Sequence, residues 1–258
     1  MTLRANFKTA PFARSLRQAK IFILEILNVF LRLKFEPFLI WHKFEHFSKV
    51  SMGERENWAV RITRSAGRIV LSPFFYLRTE GTENIPRKSA FVLLPKHQRW
   101  EDIPLVSLAS PRPLYYVAKF ELFKNPISSW FLKSVGGIPL NRQHPVESRN
   151  SLNLVIELLR RGEGIVVFPE GTYYKNRMGP GHSGLVRLIL SRLSPPFIPV
   201  GVDYSRRGWR TLVRIRFGEA SHADPEASAS ANLDLMMKEI AQLSGLGVNK
   251  RRKTDVGD

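Results

Sequence analysis

Cysteine is absent from all 258 residues, which excludes disulfides, thiolate metal sites and an acyl intermediate on sulfur. Any nucleophilic chemistry must use oxygen or nitrogen. Acidic residues are scarce beside basic ones: 22 Asp and Glu stand against 40 Lys and Arg, a formal net charge of +18. That excess favours an anionic partner, whether nucleic acid, a phospholipid surface or an acidic protein, without choosing among them. The apolar stretch "IFILEILNVFL" at 21–31 is interrupted by Glu25 and Asn28 and falls short of the roughly 20 residues that cross a bilayer. No small-residue cleavage site follows it, so a secretory signal is not expected. The remaining composition, 43% hydrophobic and 24% charged, is that of a globular chain long enough to bury a full core.

The first twenty residues hold five basic side chains and no acidic one. The aromatic and basic segment "RLKFEPFLIWHKFEHF" follows the short apolar run, with Pro37 suited to a helix start. The pattern predicts two amphipathic helices, 18–35 and 37–49, of the composition that lies in one leaflet as an interfacial anchor. The expected division is a membrane-association segment at 1–50, an α/β domain at 51–246, and a charged C-terminal tail at 247–258.

From about residue 88, short apolar runs alternate with helical spacing. "AFVLLP" (90–95), "LYYVAK" (114–119), "GGIPLN" (136–141), "GIVVFPE" (164–170), "PFIPVGVDY" (196–204) and "LVRIRFG" (212–218) read as strands. Leu152, Val155, Ile156 and Leu159 repeat at helical spacing, as do Leu185, Leu188, Ile189 and Leu193. Alternation of this kind predicts an α/β fold, with a mostly parallel central sheet flanked by helices. The patch "EASASAN" at 226–232 reads as low complexity.

Open α/β sheets bind ligands beyond the carboxyl ends of their strands, so polar residues that follow apolar runs are the ones to weigh. Four stretches qualify: "KHQRWED" (96–102), "GGIPLNR" (136–142), "FPEGT" (168–172) and "FIPVG" (197–201). Their shared placement predicts that His97, Arg142 and Glu170 meet at one edge of the sheet. Each residue alone also has a bland reading: a solvated charge, a helix cap or a tight turn.

In this order and at these separations the four blocks resemble the motifs of the glycerolipid acyltransferase family, which includes 1-acyl-sn-glycerol-3-phosphate acyltransferases. "VAKFEL" at 117–122 is similar to a stretch usual between the first two. The resemblance covers about residues 80–220. It implies a lysophospholipid acceptor and an acyl thioester donor, acyl-CoA or acyl-carrier protein, with no tightly bound cofactor and no metal. It also implies a membrane phospholipid surface as a partner, a membrane-associated location on the cytoplasmic face, and no nucleic acid. His97 is then the general base and Asp102 the carboxylate that fixes its tautomer. Imidazole titrates near neutrality, which suits that task. Arg142 and Lys119 are implied to bind a phosphate, and Glu170 the glycerol part of the acceptor. Gly171 and Thr172 complete that block, the glycine allowing close backbone approach.

The chain departs from the family pattern at three places. Tyr173 stands where Arg is common, "PGHSG" at 180–184 replaces a Lys-rich segment, and Lys96 precedes the histidine where Asn is usual. Arg177 and Lys175 are candidate substitutes in the phosphate grip. A serine hydrolase is excluded because Ser183 is followed by Gly184 and Leu185, not by the spacing of a nucleophile elbow. A basic binding module is disfavoured because the basic residues are spread along the chain without an RNA-binding signature.

Overall fold

The structure, a computed structural model, describes residues 57–141 and 148–247, without the side chains of 57–59 and 127. The two expected amphipathic helices, nearly all of the C-terminal tail and Arg142 lie outside these residues. Among the described residues no helix is long and apolar enough to cross a membrane.

Seven strands form one sheet in the order β1-β7-β6-β2-β5-β3-β4. They are β1 (Phe75–Glu80), β2 (Phe91–Pro95), β3 (Leu114–Lys119), β4 (Gly137–Leu140), β5 (Gly164–Val166), β6 (Phe197–Arg207) and β7 (Arg210–Phe217). The five strands from β6 to β4 run parallel. β7 turns back antiparallel to β6, and β1 follows β7 in parallel. All five residues of β2 are buried, as expected for a central parallel strand covered on both faces.

The period-2 alternation of strands divides the interior into two cores. Val92, Leu94, Tyr115, Val117, Ile165 and Val167 face one of them. Helices α4 (Arg149–Arg160), α5 (Gly184–Leu190) and α6 (Ala229–Leu243) cover it with Leu154, Val155, Leu158, Ile189, Met236 and Ile240. Phe91, Leu93, Val166, Ile198, Val200 and Val213 face the other, where Leu71 from α1 (Asn57–Leu71) and Leu105 and Val106 from α2 (Asp102–Ala109) meet them. The remaining helix, α3 (Pro126–Ser134), leads into β4.

The expected runs are strands, though 164–170 is a strand only to Val166 before a loop carries Pro169 and Glu170. β1 escaped the sequence reading because "FYLRTE" is a partly exposed edge strand whose apolar residues stop at Leu77 and give way to Arg78, Thr79 and Glu80. The stretch read as low complexity opens a helix: Ser228 caps α6, its Oγ accepting from Ala231 N at 3.1 Å. Small residues hid this start; the apolar spacing begins only at Leu233.

Candidate active site

Strand β2 ends at Pro95, and the chain turns through Lys96–Glu101 into α2, whose first residue is Asp102. This turn lies at the carboxyl ends of the parallel strands, and it brings His97 and Asp102 together. His97 Nδ1 lies 3.1 Å from Asp102 Oδ2. That oxygen also accepts the backbone N–H groups of Gln98 at 2.6 Å and Arg99 at 2.8 Å. Tyr204 on β6 donates its hydroxyl to Asp102 Oδ1 at 2.5 Å. Asp102 is fully buried, and these donors offset the loss of its hydration. An ionised carboxylate can only accept, so Nδ1 carries the ring hydrogen and Nε2 keeps the lone pair.

The imidazole is held on its faces as well. It stacks on Phe168 with centroids 3.9 Å apart and meets the Tyr173 ring at 4.3 Å, tilted by 56°. The His97 side chain retains 9% exposure, so the ring borders solvent while its carboxylate partner does not. Burial, then the charge and hydrogen bond of Asp102, push the Tyr204 phenol well above its ordinary pKa; Tyr204 therefore remains a donor. Arg99 covers the Tyr204 ring from 4.3 Å.

Beneath the histidine lies an ion pair that the sequence did not disclose. Lys96 Nζ contacts Glu170 Oε1 at 2.9 Å and Oε2 at 2.7 Å, with both side chains at 0% exposure. The ammonium also donates to the carbonyls of His97 at 3.2 Å and Tyr174 at 2.8 Å. Glu170 accepts from His97 N at 3.0 Å and Gly179 N at 2.6 Å. Burial lowers the Lys96 pKa, opposed by its hydrogen bond to Glu170. Glu170 was expected against the glycerol of an acceptor. Its two oxygens are engaged inside the protein, where the loop after β5 brings them to Lys96 and to the N–H groups of His97 and Gly179.

Gln98 secures the neighbouring loop, donating to Val202 O at 2.7 Å and accepting from Asn176 N at 2.8 Å. Asn176 is the one non-glycine with positive φ, 55°, among the described residues, a conformation that asparagine tolerates. Gly171 stands at φ 65°, where a β-carbon would be strained; Thr172 follows it, partly buried. Lys119 ends β3 at the same sheet edge as His97. Of the two substitute cations, Lys175 is exposed and Arg177 lies over the Tyr174 ring at 5.4 Å. Arg142 belongs to 142–147, bracketed by Asn141 and Ser148, whose hydroxyl bonds both the N–H and the carbonyl of Asn141. Lys96, Gln98, Phe168 and Tyr204 were missed as site residues. Only Lys96 carried a signal, as a departure from the usual Asn.

A family model described as Acyltransferase matches residues 77–203. The 1-acyl-sn-glycerol-3-phosphate acyltransferase of Pseudomonas aeruginosa is 30% identical over 190 residues, covering 69% of this chain and 71% of that one. The chain belongs to the glycerolipid acyltransferase family. The chloroplastic 1-acyl-sn-glycerol-3-phosphate acyltransferase LPAT1 of Arabidopsis thaliana is 30% identical over 167 residues, 64% of this chain and 42% of that protein. The chain spans about half the length of several such curated relatives. In fold it is similar to the 1-acyl-sn-glycerophosphate (LPA) acyltransferase PlsC of Thermotoga maritima. The TM-score is 0.59 at 21% identity, covering 90% of this chain and 96% of that one.

Two expectations follow from the geometry. Lys96→Met or Glu170→Gln alone should lower the unfolding free energy by about 3 kcal/mol or more, because each strands a buried partner. The double variant should lose less than the sum in urea titrations; additive losses would show that the two groups do not act as a pair. Tyr204→Phe removes a donor from Asp102, which concentrates negative charge facing the imidazole and favours imidazolium. The acid limb of the activity–pH profile should therefore move to higher pH, with acceptor KM little changed. An unmoved limb would place Tyr204 outside the machinery.

Proposed function

We propose that this protein transfers a fatty acyl group from an acyl thioester to the free hydroxyl of a lysophospholipid, with 1-acyl-sn-glycerol-3-phosphate as acceptor and phosphatidic acid as product. The observation that carries the reading is the His97–Asp102 pair, its ring nitrogen Nε2 left basic at a solvent-bordering sheet edge. Nε2 takes the proton from the acceptor hydroxyl as its oxygen attacks the thioester carbonyl. The tetrahedral intermediate then expels the thiolate, which recovers the proton from the imidazolium, and no acyl-enzyme forms. The donor is acyl-CoA or acyl-carrier protein, and neither leaves a bound cofactor.

Lys119 and Arg142 bind the acceptor phosphate, one as a point charge and the other as a fork. Gly171 and Thr172 border the acceptor. Glu170 serves the acceptor from below: with Lys96 it holds the His97 peptide that faces it. The segment 1–50 holds the protein on a phospholipid surface at the cytoplasmic face. One observation favours a second reading, a lysolipid acceptor with another head group. Tyr173 stands against His97 where the family commonly has Arg, and an aromatic ring cannot grip phosphate as a guanidinium does.

Purified protein with labelled acyl thioesters and a lysolipid panel tests the reaction. His97→Ala should reduce turnover by about 10²–10⁴-fold and Asp102→Asn by about a hundredfold. Wild-type rates in either folded variant would remove the acid–base assignment. Arg142→Ala should raise acceptor KM more than it lowers kcat and leave donor KM alone, with Lys restoring only part. An unchanged acceptor KM would remove Arg142 from the phosphate site and favour the second reading.

A further inference from the structure

β6 is longer than its neighbour. Its register with β2 ends at Pro95↔Val200, yet the strand runs on to Arg207, past the Tyr204 that bonds Asp102. Arg207 lies three residues beyond Tyr204, about 10 Å along an extended strand. The hairpin to β7 closes there through Gly208 and Trp209, between the paired residues Arg207 and Arg210. Gly208 has φ 60°, the positive value that a tight two-residue turn uses at its first position. The tip therefore projects from the sheet at the edge that holds His97.

What it presents is unusual for a surface in water. Trp209 is 77% exposed, Phe74 63% and Tyr76 46%, and the segments that carry them are hydrogen-bonded neighbours. Thr211 N bonds Phe74 O at 2.9 Å, and the Arg210 guanidinium donates to the carbonyls of Phe75, at 3.0 Å, and Ser72. Arg207 lies 5.0 Å over the Tyr76 ring, and Arg210 lies 5.8 Å over Tyr76 and 5.7 Å over Trp209. Arg206 is exposed beside them. The two segments that build the patch are free of opposing charge: no Asp or Glu occurs between Glu56 and Glu80, or between Asp203 and Glu219.

We infer that this hairpin tip is a docking surface for an anionic phospholipid bilayer. Tryptophan, tyrosine and phenylalanine favour the interface between head groups and acyl chains, and arginines pair with lipid phosphates. The hydrogen bonds between 72–75 and 210–211, one from the Thr211 backbone and two from the Arg210 guanidinium, tie the segments that carry the rings, so docking need not order a loop. Seated in this way, the tip turns the His97 edge of the sheet toward the leaflet, where a lysolipid hydroxyl would enter. The inference rests on the proposed lipid acceptor for its purpose, but its physical claim concerns contact with the bilayer alone.

Because the chain has no cysteine, Trp209→Cys offers a single attachment point for an environment-sensitive fluorophore. Leu235→Cys, at an exposed position of α6, provides the control. With full-length protein and phosphatidylglycerol vesicles, emission at 209 should shift to the blue and be quenched by lipid-borne quenchers, while the probe at 235 stays unchanged. Arg206→Gln with Arg207→Gln should weaken partitioning by about fivefold per arginine, and pure phosphatidylcholine should bind less. Failure to bind the vesicles, or binding with an unshifted probe at 209, would overturn the inference. A lipid-free shift would do so too, indicating a second copy if it grows with protein concentration and residues 1–56 if it vanishes on their removal. Turnover on a short-chain, water-soluble acceptor reports the chemistry separately: a shift without turnover sinks the enzyme reading alone, and turnover without a shift sinks the docking surface alone.

Discussion

The interaction on which the site depends is the ion pair between Lys96 and Glu170, two opposite charges with no exposure to water. Removing such groups from water costs several kcal/mol each, and their attraction offsets this only if the remaining donors and acceptors are satisfied. Here they are. The three ammonium hydrogens have the Glu170 carboxylate and the carbonyls of His97 and Tyr174 as acceptors. The carboxylate accepts in addition from the N–H groups of His97 and Gly179. Both carbonyl and N–H of the histidine are thus tied to one pair, and the ring can leave the backbone only in a direction that the pair sets. The loop 168–179 becomes an underlay for the turn after β2 even though it follows β5.

A second consequence concerns where rigidity comes from. Asp102 sits at the start of a helix, but the donors that bind it come from three places: the 98–99 backbone, the His97 ring, and Tyr204 on β6. Two of these sources depend on the turn and one on the neighbouring strand. The overshoot of β6 beyond β2 supplies that third donor, and the same overshoot carries the aromatic and basic hairpin to the His97 edge. One geometric fact, unequal strand length, links the surroundings of the carboxylate to the aromatic and basic surface of the hairpin.

Much of the fold was legible because central parallel strands must be apolar on both faces, so "FVLLP" and "LYYVAK" announce themselves. Edge strand β1 was not, since none of its residues is fully buried and its short apolar start, Phe75 to Leu77, gives way at once to Arg78, Thr79 and Glu80. The start of α6 was hidden for a related reason: capping by Ser228 leaves a signature of small polar residues indistinguishable from a loop until Leu233 begins the buried stripe. At the site, His97 and Asp102 were legible as a pair because five residues of turn and helix start suffice to bring them together. Glu170 was legible as important but not in its orientation, which depends on a partner 74 positions away.

The sequence by itself determined the chemistry available: no thiol, one histidine followed by a carboxylate after a buried strand, and an excess of positive charge. It determined the strands whose burial demands apolar runs, because hydrophobicity is local information. Tertiary structure alone decided that Lys96 and Glu170 neutralise one another beneath the histidine, that Tyr204 completes the shell of Asp102, and that Trp209 and Tyr76 meet over Arg210. Those relations join residues far apart in the chain, and the packing of the sheet, with the stagger of its strands, chooses which side chains meet.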